Sequence, residues 1–391
     1  MKDKHILTYC LFTCFMAMHF FGSVMIPFFT EWGGISFFQI QLLQSWFMFW
    51  IFILELPTGL IADRIGRKHS LALGGLVVAI AVIVYSVIPS MLMFLVAEFL
   101  FAAAVALVSG ADEAWLYDYL KANGKEDQSQ LMFGRSKSFH YAGMLIASPV
   151  GAVVAARFGL VYPHRVSFVF FLMAGLLAWR LPEPKKNNNR SESFRFIEGL
   201  KSGFNIVLNK TSLLRLALIS TIVNSCAYFV IWLYQPMLEQ LGVPIQYYGF
   251  FQVWLLVVEI VVMNNFSRLS SLVPNYEVSI AYLTGLSFLL LALVPQLITL
   301  LVFLTIAGGF GLTHRTFLAS KMQVDIPSSK RAVVMSSISM ISRLVLTIFN
   351  PLIGLLSDIN LTYSLLVVSI FSLLIFPVNA FFKTRLAVES V

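Results

Sequence analysis

Ionisable side chains set inside long apolar runs are the residues of this chain best placed to do chemistry. His19, Glu55, Glu98, Asp112, Glu113, His140, Glu259, His314, Arg315 and Arg343 all sit among Leu, Ile, Val, Phe and Ala. Charge in such a setting is costly, so it persists where it pairs, carries a proton or meets a ligand. A carboxyl group such as Glu98, Glu259 or Glu55 is suited to taking up and releasing a proton. The imidazole of His19 is suited to shuttling one near neutral pH, or to plain hydrogen-bonded packing. Arg343 requires a partner, either a buried acid such as Glu259 or an anionic ligand. Asn224, Tyr228 and Trp232 recur near helical spacing and could line a cavity, although in a chain that is 14% aromatic packing or interfacial anchoring explains most such residues.

Other chemistries are not indicated. The sequence has no Walker-type phosphate loop, and no His, Cys and Asp cluster has metal-ligand spacing. Cys10, Cys14 and Cys226 lie inside apolar runs and read as reduced packing residues. No metal, organic cofactor or soluble catalytic centre is expected.

The elements that must position these residues follow from composition. With 59% hydrophobic and 12% charged residues over 391 positions, the chain is a polytopic membrane protein rather than a soluble globule. Spans are expected near 6–29, 39–61, 69–88, 91–115, 136–157, 164–181, 212–236, 246–266, 277–294, 297–318, 333–357 and 361–382. An even count puts both termini on one face. If that face is cytoplasmic, the termini and inner loops hold every Lys and Arg except Arg157, Arg165 and Arg343, as the positive-inside bias requires. The same bias explains the net charge of +8 without nucleic acid. A cell (inner or plasma) membrane location is expected.

Pro182-Glu183-Pro184 followed by a polar run reads as a flexible linker, and 193–210 as an amphipathic helix on the inner membrane surface. The chain therefore divides into residues 1–181, a linker at 182–211, and 212–391. The two halves read as parallel copies offset by about 202 residues: Ser148-Pro149-Val150-Gly151 answers Asn350-Pro351-Leu352-Ile353-Gly354.

Between the second and third spans lies the short hydrophilic stretch Gly59-Leu60-Ile61-Ala62-Asp63-Arg64-Ile65-Gly66-Arg67-Lys68. Gly59 suits close helix approach, Gly66 suits a positive φ, and Asp63 among three cations suits an ion-pair network at a helix end. This stretch closely resembles the signature of the major facilitator superfamily, Gly-x-x-x-Asp-Arg/Lys-x-Gly-Arg/Lys-Arg/Lys, and every signature position is matched. The resemblance implies an all-α fold of twelve transmembrane helices in two six-helix bundles. It also implies alternating access to a central site for a small-molecule substrate, and a latch on the cytoplasmic side involving Asp63, Arg64, Arg67 and Lys68. In that architecture spans 3, 6, 9 and 12 face lipid, and their interiors here carry no ionisable residue.

The repeat offset relates Glu55 to Glu259 and His140 to Arg343, and it relates Asp112 and Glu113 to His314 and Arg315. The last relation suggests an inner gate of opposite charges. A competing arrangement pairs Glu113 or Asp118 with Arg67. Many proton-driven exporters of the superfamily carry an arginine near Glu98, and this chain does not. Span 5 matches their glycine-rich element only in part, at Gly143 and Ser148-Pro149-Val150-Gly151. The resulting expectation is a monomeric secondary transporter, driven by the proton gradient and exporting a drug-like or metabolite molecule. The alternatives are a proton-coupled importer of a polar nutrient or organic anion, or a membrane sensor or scaffold.

Overall fold

The computed structural model describes residues 3–184, 195–324, 326–327 and 330–389, and all regular structure among them is helical. Ten helices among the described residues are long and apolar enough to cross a membrane. The other two expected spans are also helical. Span 6 is the helix Tyr162–Trp179, whose first turn spends Pro163, His164 and Arg165 on polar positions. Span 1 is broken: Lys4–Met16 is regular, Met18 and His19 are not helical, and tight and wide helical turns then continue to Trp32.

By contacts the chain forms two compact units, Met1–Arg190 with Pro244–Val253, and Ser191–Val243 with Trp254–Val391. The amphipathic helix, expected on the membrane surface, is Arg195–Asn209 and belongs to the second unit. Its Val207 is buried in that unit's core, and Gly203 lies against Val333 and Ser337 of span 11. The linker residues 185–194 fall outside the described residues.

Lipid is as apolar as leucine, so packing between spans depends on close approach and hydrogen bonds rather than on escape from water. Span 1 illustrates both. The Phe20 N–H, freed by the break, donates to Ser167 Oγ at 3.1 Å, and Ser23 Oγ donates to the Ser148 carbonyl at 2.9 Å. A Cβ on Gly151 of span 5 would stand 1.7 Å from the Phe20 carbonyl oxygen, so only glycine fits there. The irregular backbone is thus enclosed by protein, which is the condition for its survival at membrane depth.

The same device joins the first and fifth spans of each half. Ser136 Oγ lies 3.5 Å from Thr13 Oγ1 in the first unit, and Thr221 Oγ1 lies 3.3 Å from Ser342 Oγ in the second.

Candidate functional site

The signature turn is built by three elements. Span 2, Phe37–Ile65, ends at Gly66, whose φ of +101° is in the region glycine alone adopts readily. Span 3, Arg67–Tyr85, begins at the next residue. The third element is Glu183, whose two carboxylate oxygens accept the first two backbone N–H groups of span 3, from Arg67 at 2.8 Å and Lys68 at 3.0 Å. A helix start has unpaired N–H groups and a partial positive charge, and this carboxylate satisfies both. A Cβ on Gly66 would lie 2.7 Å from the same carboxylate.

The Arg67 guanidinium donates to the Asp118 carboxylate and to the Ala114 carbonyl, tying the start of span 3 to the helix Asp112–Ala122 that continues span 4. Of the partners weighed for Arg67 in the sequence, Glu113 and Asp118, it is Asp118 that pairs with it. Arg64 is exposed, and the side chain of Asp63 lies outside the described residues. At Gly59 a Cβ would meet nothing within 4 Å, but its backbone does approach Gly110, where span 4 leads into the next helical segment: the Gly59 Cα lies 3.8 Å from where a Cβ on Gly110 would stand.

Glu98, in span 4 (Met91–Ser109), is 4% exposed and accepts from Gln44 Nε2 of span 2 at 2.8 Å. The Tyr85 hydroxyl of span 3 lies close enough to interact with it electrostatically. Both groups are neutral. Phe28 and Phe94 close the surroundings, and the ring of His164 stacks on Phe28 with 3.9 Å between centroids. Glu98 therefore lies inside the N-terminal bundle, between spans 2, 3 and 4.

His19 stands at the break in span 1, its Nε2 2.9 Å from the Met16 carbonyl, among the rings of Phe21, Phe101 and Phe171. His140 is half-buried on span 5, close enough to His19 for the two to interact electrostatically. Asp112 accepts from the Tyr9 hydroxyl, and Glu113 makes an exposed pair with Lys137 at 3.7 Å.

In the second unit His314 is fully buried against Tyr276 and Phe317, while Arg315 is exposed and donates to Ser339 Oγ at 3.1 Å. Asp112 thus has its hydrogen-bond partner, and His314 its ring neighbours, each within its own unit. Glu259 and Arg343 are half-buried, as are Glu55, Asn224 and Tyr228. Trp232 is buried beside Tyr228, with its indole N–H unpartnered among the described residues.

A second ion cluster was not anticipated. Glu277, at the first turn of span 9 (Tyr276–Leu293), is 5% exposed; Lys321 lies 3.0 Å away and Arg215 3.6 Å away. Arg215 Nε also donates to Asn379 Oδ1 at 2.9 Å. Gln44, Tyr85 and Glu183 were likewise missed. Glu183 was hidden between two prolines that mark a linker, and Gln44 and Tyr85 carry no charge to draw notice.

Two helical bundles, ionisable groups held inside them and a charged turn at a helix junction define a polytopic membrane transporter. The chain matches the family model described as the Major Facilitator Superfamily over residues 7–346, and it belongs to that family. Among solved structures it is similar to the nucleoside transporter NupG at 15% identity, covering 97% of this chain and 98% of that one with a TM-score of 0.78. It is also similar to a bacterial homologue of the human lysosomal transporter Spinster (14% identity, 97% and 95% coverage, TM-score 0.75) and to the POT family transporter PepTSo (12%, 98% and 98%, 0.74). No curated protein matches the sequence.

Proposed function

We propose that this transporter couples export of a small drug-like or metabolite molecule to proton uptake by alternating access. Both termini would be cytoplasmic and the membrane would be the cell (inner or plasma) membrane. The observation that carries the reading is the setting of Glu98: a carboxyl group enclosed in the N-terminal bundle, held by Gln44 and close to Tyr85, both of them neutral. Such a group is stable when protonated and strained when ionised. Its proton state then biases which of two bundle arrangements is favoured, and a substrate shifts that balance through differential affinity. The Arg67–Asp118 latch holds one arrangement.

The test is reconstitution in vesicles with an imposed pH gradient and a chemically diverse compound panel. Gradient-driven export that Glu98→Gln abolishes, with exchange retained, supports the reading. Gradient-driven accumulation in the opposite direction replaces export with import, for which half-buried Arg343 is the candidate anion contact. No flux with any compound would favour a sensor or scaffold.

A further inference from the structure

We propose that Gln44 senses whether Glu98 carries a proton, turning its carboxamide between two hydrogen-bonded arrangements, the second completed by Gln41. The proposal rests on Glu98 being the proton carrier, as argued above.

The groups facing Glu98 are few. Span 2 presents Gln44, and span 3 presents Tyr85. Behind Tyr85, span 6 presents His164, with 5.6 Å between the two ring centroids. The outer part of span 1 contributes aromatic rings, Phe28 and Phe29, against Phe94. An ionised carboxylate only accepts, which the Gln44 amino group satisfies. A carboxylic acid has an O–H to give, and Gln44 meets it by presenting its carbonyl. That turn releases the amino group.

Gln41 lies three residues earlier on the same helix. Side chains so spaced are neighbours on one helix face. Gln41 is fully buried, and neither atom of its carboxamide has a hydrogen-bond partner among the described residues. A buried amide without partners is costly and calls for an explanation. In the second arrangement the Glu98 O–H donates to Gln44 Oε1, and Gln44 Nε2 donates to Gln41 Oε1. The only bond formed is between the arriving aqueous proton and a Glu98 oxygen; Gln44 and Gln41 transfer no proton. The first arrangement strands both polar atoms of Gln41, and the second gives its Oε1 a donor. Gln44 as donor therefore favours the empty acid, and Gln41 favours the loaded one.

Both residues ride on Phe37–Ile65, which runs without interruption to the Gly66 turn and the Arg67–Asp118 pair. Span 2 is thus tied to span 4 by Gln44 and Glu98, and it leads through the Gly66 turn to the Arg67–Asp118 pair; the first tie responds to the proton.

The experiment is an infrared difference titration of the full-length protein in lipid nanodiscs, with protons as the only ligand and the carboxylic-acid C=O band as the readout. The band should disappear in Glu98→Gln; a band that persists unchanged overturns the proton-carrier reading itself. With the band assigned, Gln44→Met should raise the half-titration pH by up to about one unit, a tenfold change in proton affinity. Gln41→Leu should lower it, and should have no effect in the Gln44→Met background. Shifts of the same sign, or a Gln41→Leu shift that survives in that background, overturn the sensor while leaving Glu98 as carrier. Gln41→Met and Gln44→Leu repeat the cycle where a first variant does not fold.

Discussion

Glu277 and Lys321 join the start of span 9 to the end of span 10 at 3.0 Å, with the acid at the helix start and the base near the helix end. In the first half Arg67 and Asp118 make the corresponding connection between spans 3 and 4 with the charges exchanged. Helix starts favour anions and helix ends favour cations. The second-half pair agrees with both dipoles, and the first-half pair opposes both. Glu183 resolves the conflict by placing a carboxylate on the two N–H groups that open span 3.

Replacing Glu183 should therefore cost more than an exposed ion pair would. Glu183→Ala removes a helix-start acceptor and leaves Arg67 at an uncompensated positive pole, an expected loss of about 1–2 kcal/mol. Glu183→Gln keeps one acceptor and should lose less. Thermal unfolding of the detergent-solubilised protein ranks the two, and equal stability of Glu183→Ala and wild type would contradict the compensation argument.

The two latches should also differ in strength. The Glu277 side chain is 7% exposed and that of Arg215 15%, so removing the Glu277 charge leaves Arg215 buried without its counter-charge, while Lys321, 48% exposed, can turn to solvent. Breaking a buried pair typically costs about 3–5 kcal/mol, whereas a partly exposed one contributes about 1 kcal/mol or less. Asp118 is 37% exposed. Glu277→Gln is thus expected to lower the unfolding temperature clearly more than Asp118→Asn. The reverse ranking would mean that Glu277 is not a stability element.

The fold was legible in the sequence because the matched signature and the apolar runs impose it together: backbone groups in hydrocarbon must be satisfied within helices, which leaves little choice. The site was less legible for a physical reason. Sequence reasoning ranks intramembrane residues by charge, so it found Glu98 but not the neutral Gln44 and Tyr85 beside it. It also placed Glu277 at a span boundary, where a charge looks like an interfacial residue, although packing against Lys321 and Arg215 buries it. Asp112 and His314 were related by repeat spacing alone, which carries no information on the hydroxyl of Tyr9 or on the rings of Tyr276 and Phe317 beside them.

The two glycines of the signature turn should respond oppositely to alanine. Gly66 combines a φ of +101° with a carboxylate where the Cβ would go, and Gly66→Ala should cost about 1–3 kcal/mol. Gly59 sits inside the span 2 helix with open space beside it, so Gly59→Ala should leave stability unchanged or raise it by about 0.5–1 kcal/mol. Unfolding temperatures of the two single variants decide the matter; a large loss at Gly59 would show that a second conformation closes on it.

Asp3, ahead of the first span, supplies a pH-dependent tie. Partial burial pushes its carboxyl upward, but hydrogen bonds from the Tyr119 hydroxyl, the His5 N–H and Lys125 outweigh that and hold it below the usual carboxylate range. A group whose pKa is depressed on folding adds stability that is complete above its unfolded value, about 3.9, and is lost as pH falls through the folded one. Wild type should therefore exceed Asp3→Asn in stability at neutral pH by a margin that stays constant down to about pH 5. That margin should shrink only below about pH 4. A margin that instead grew on acidification would reverse the sign of the argument and remove Asp3 as an anchor between the chain start and the end of span 4.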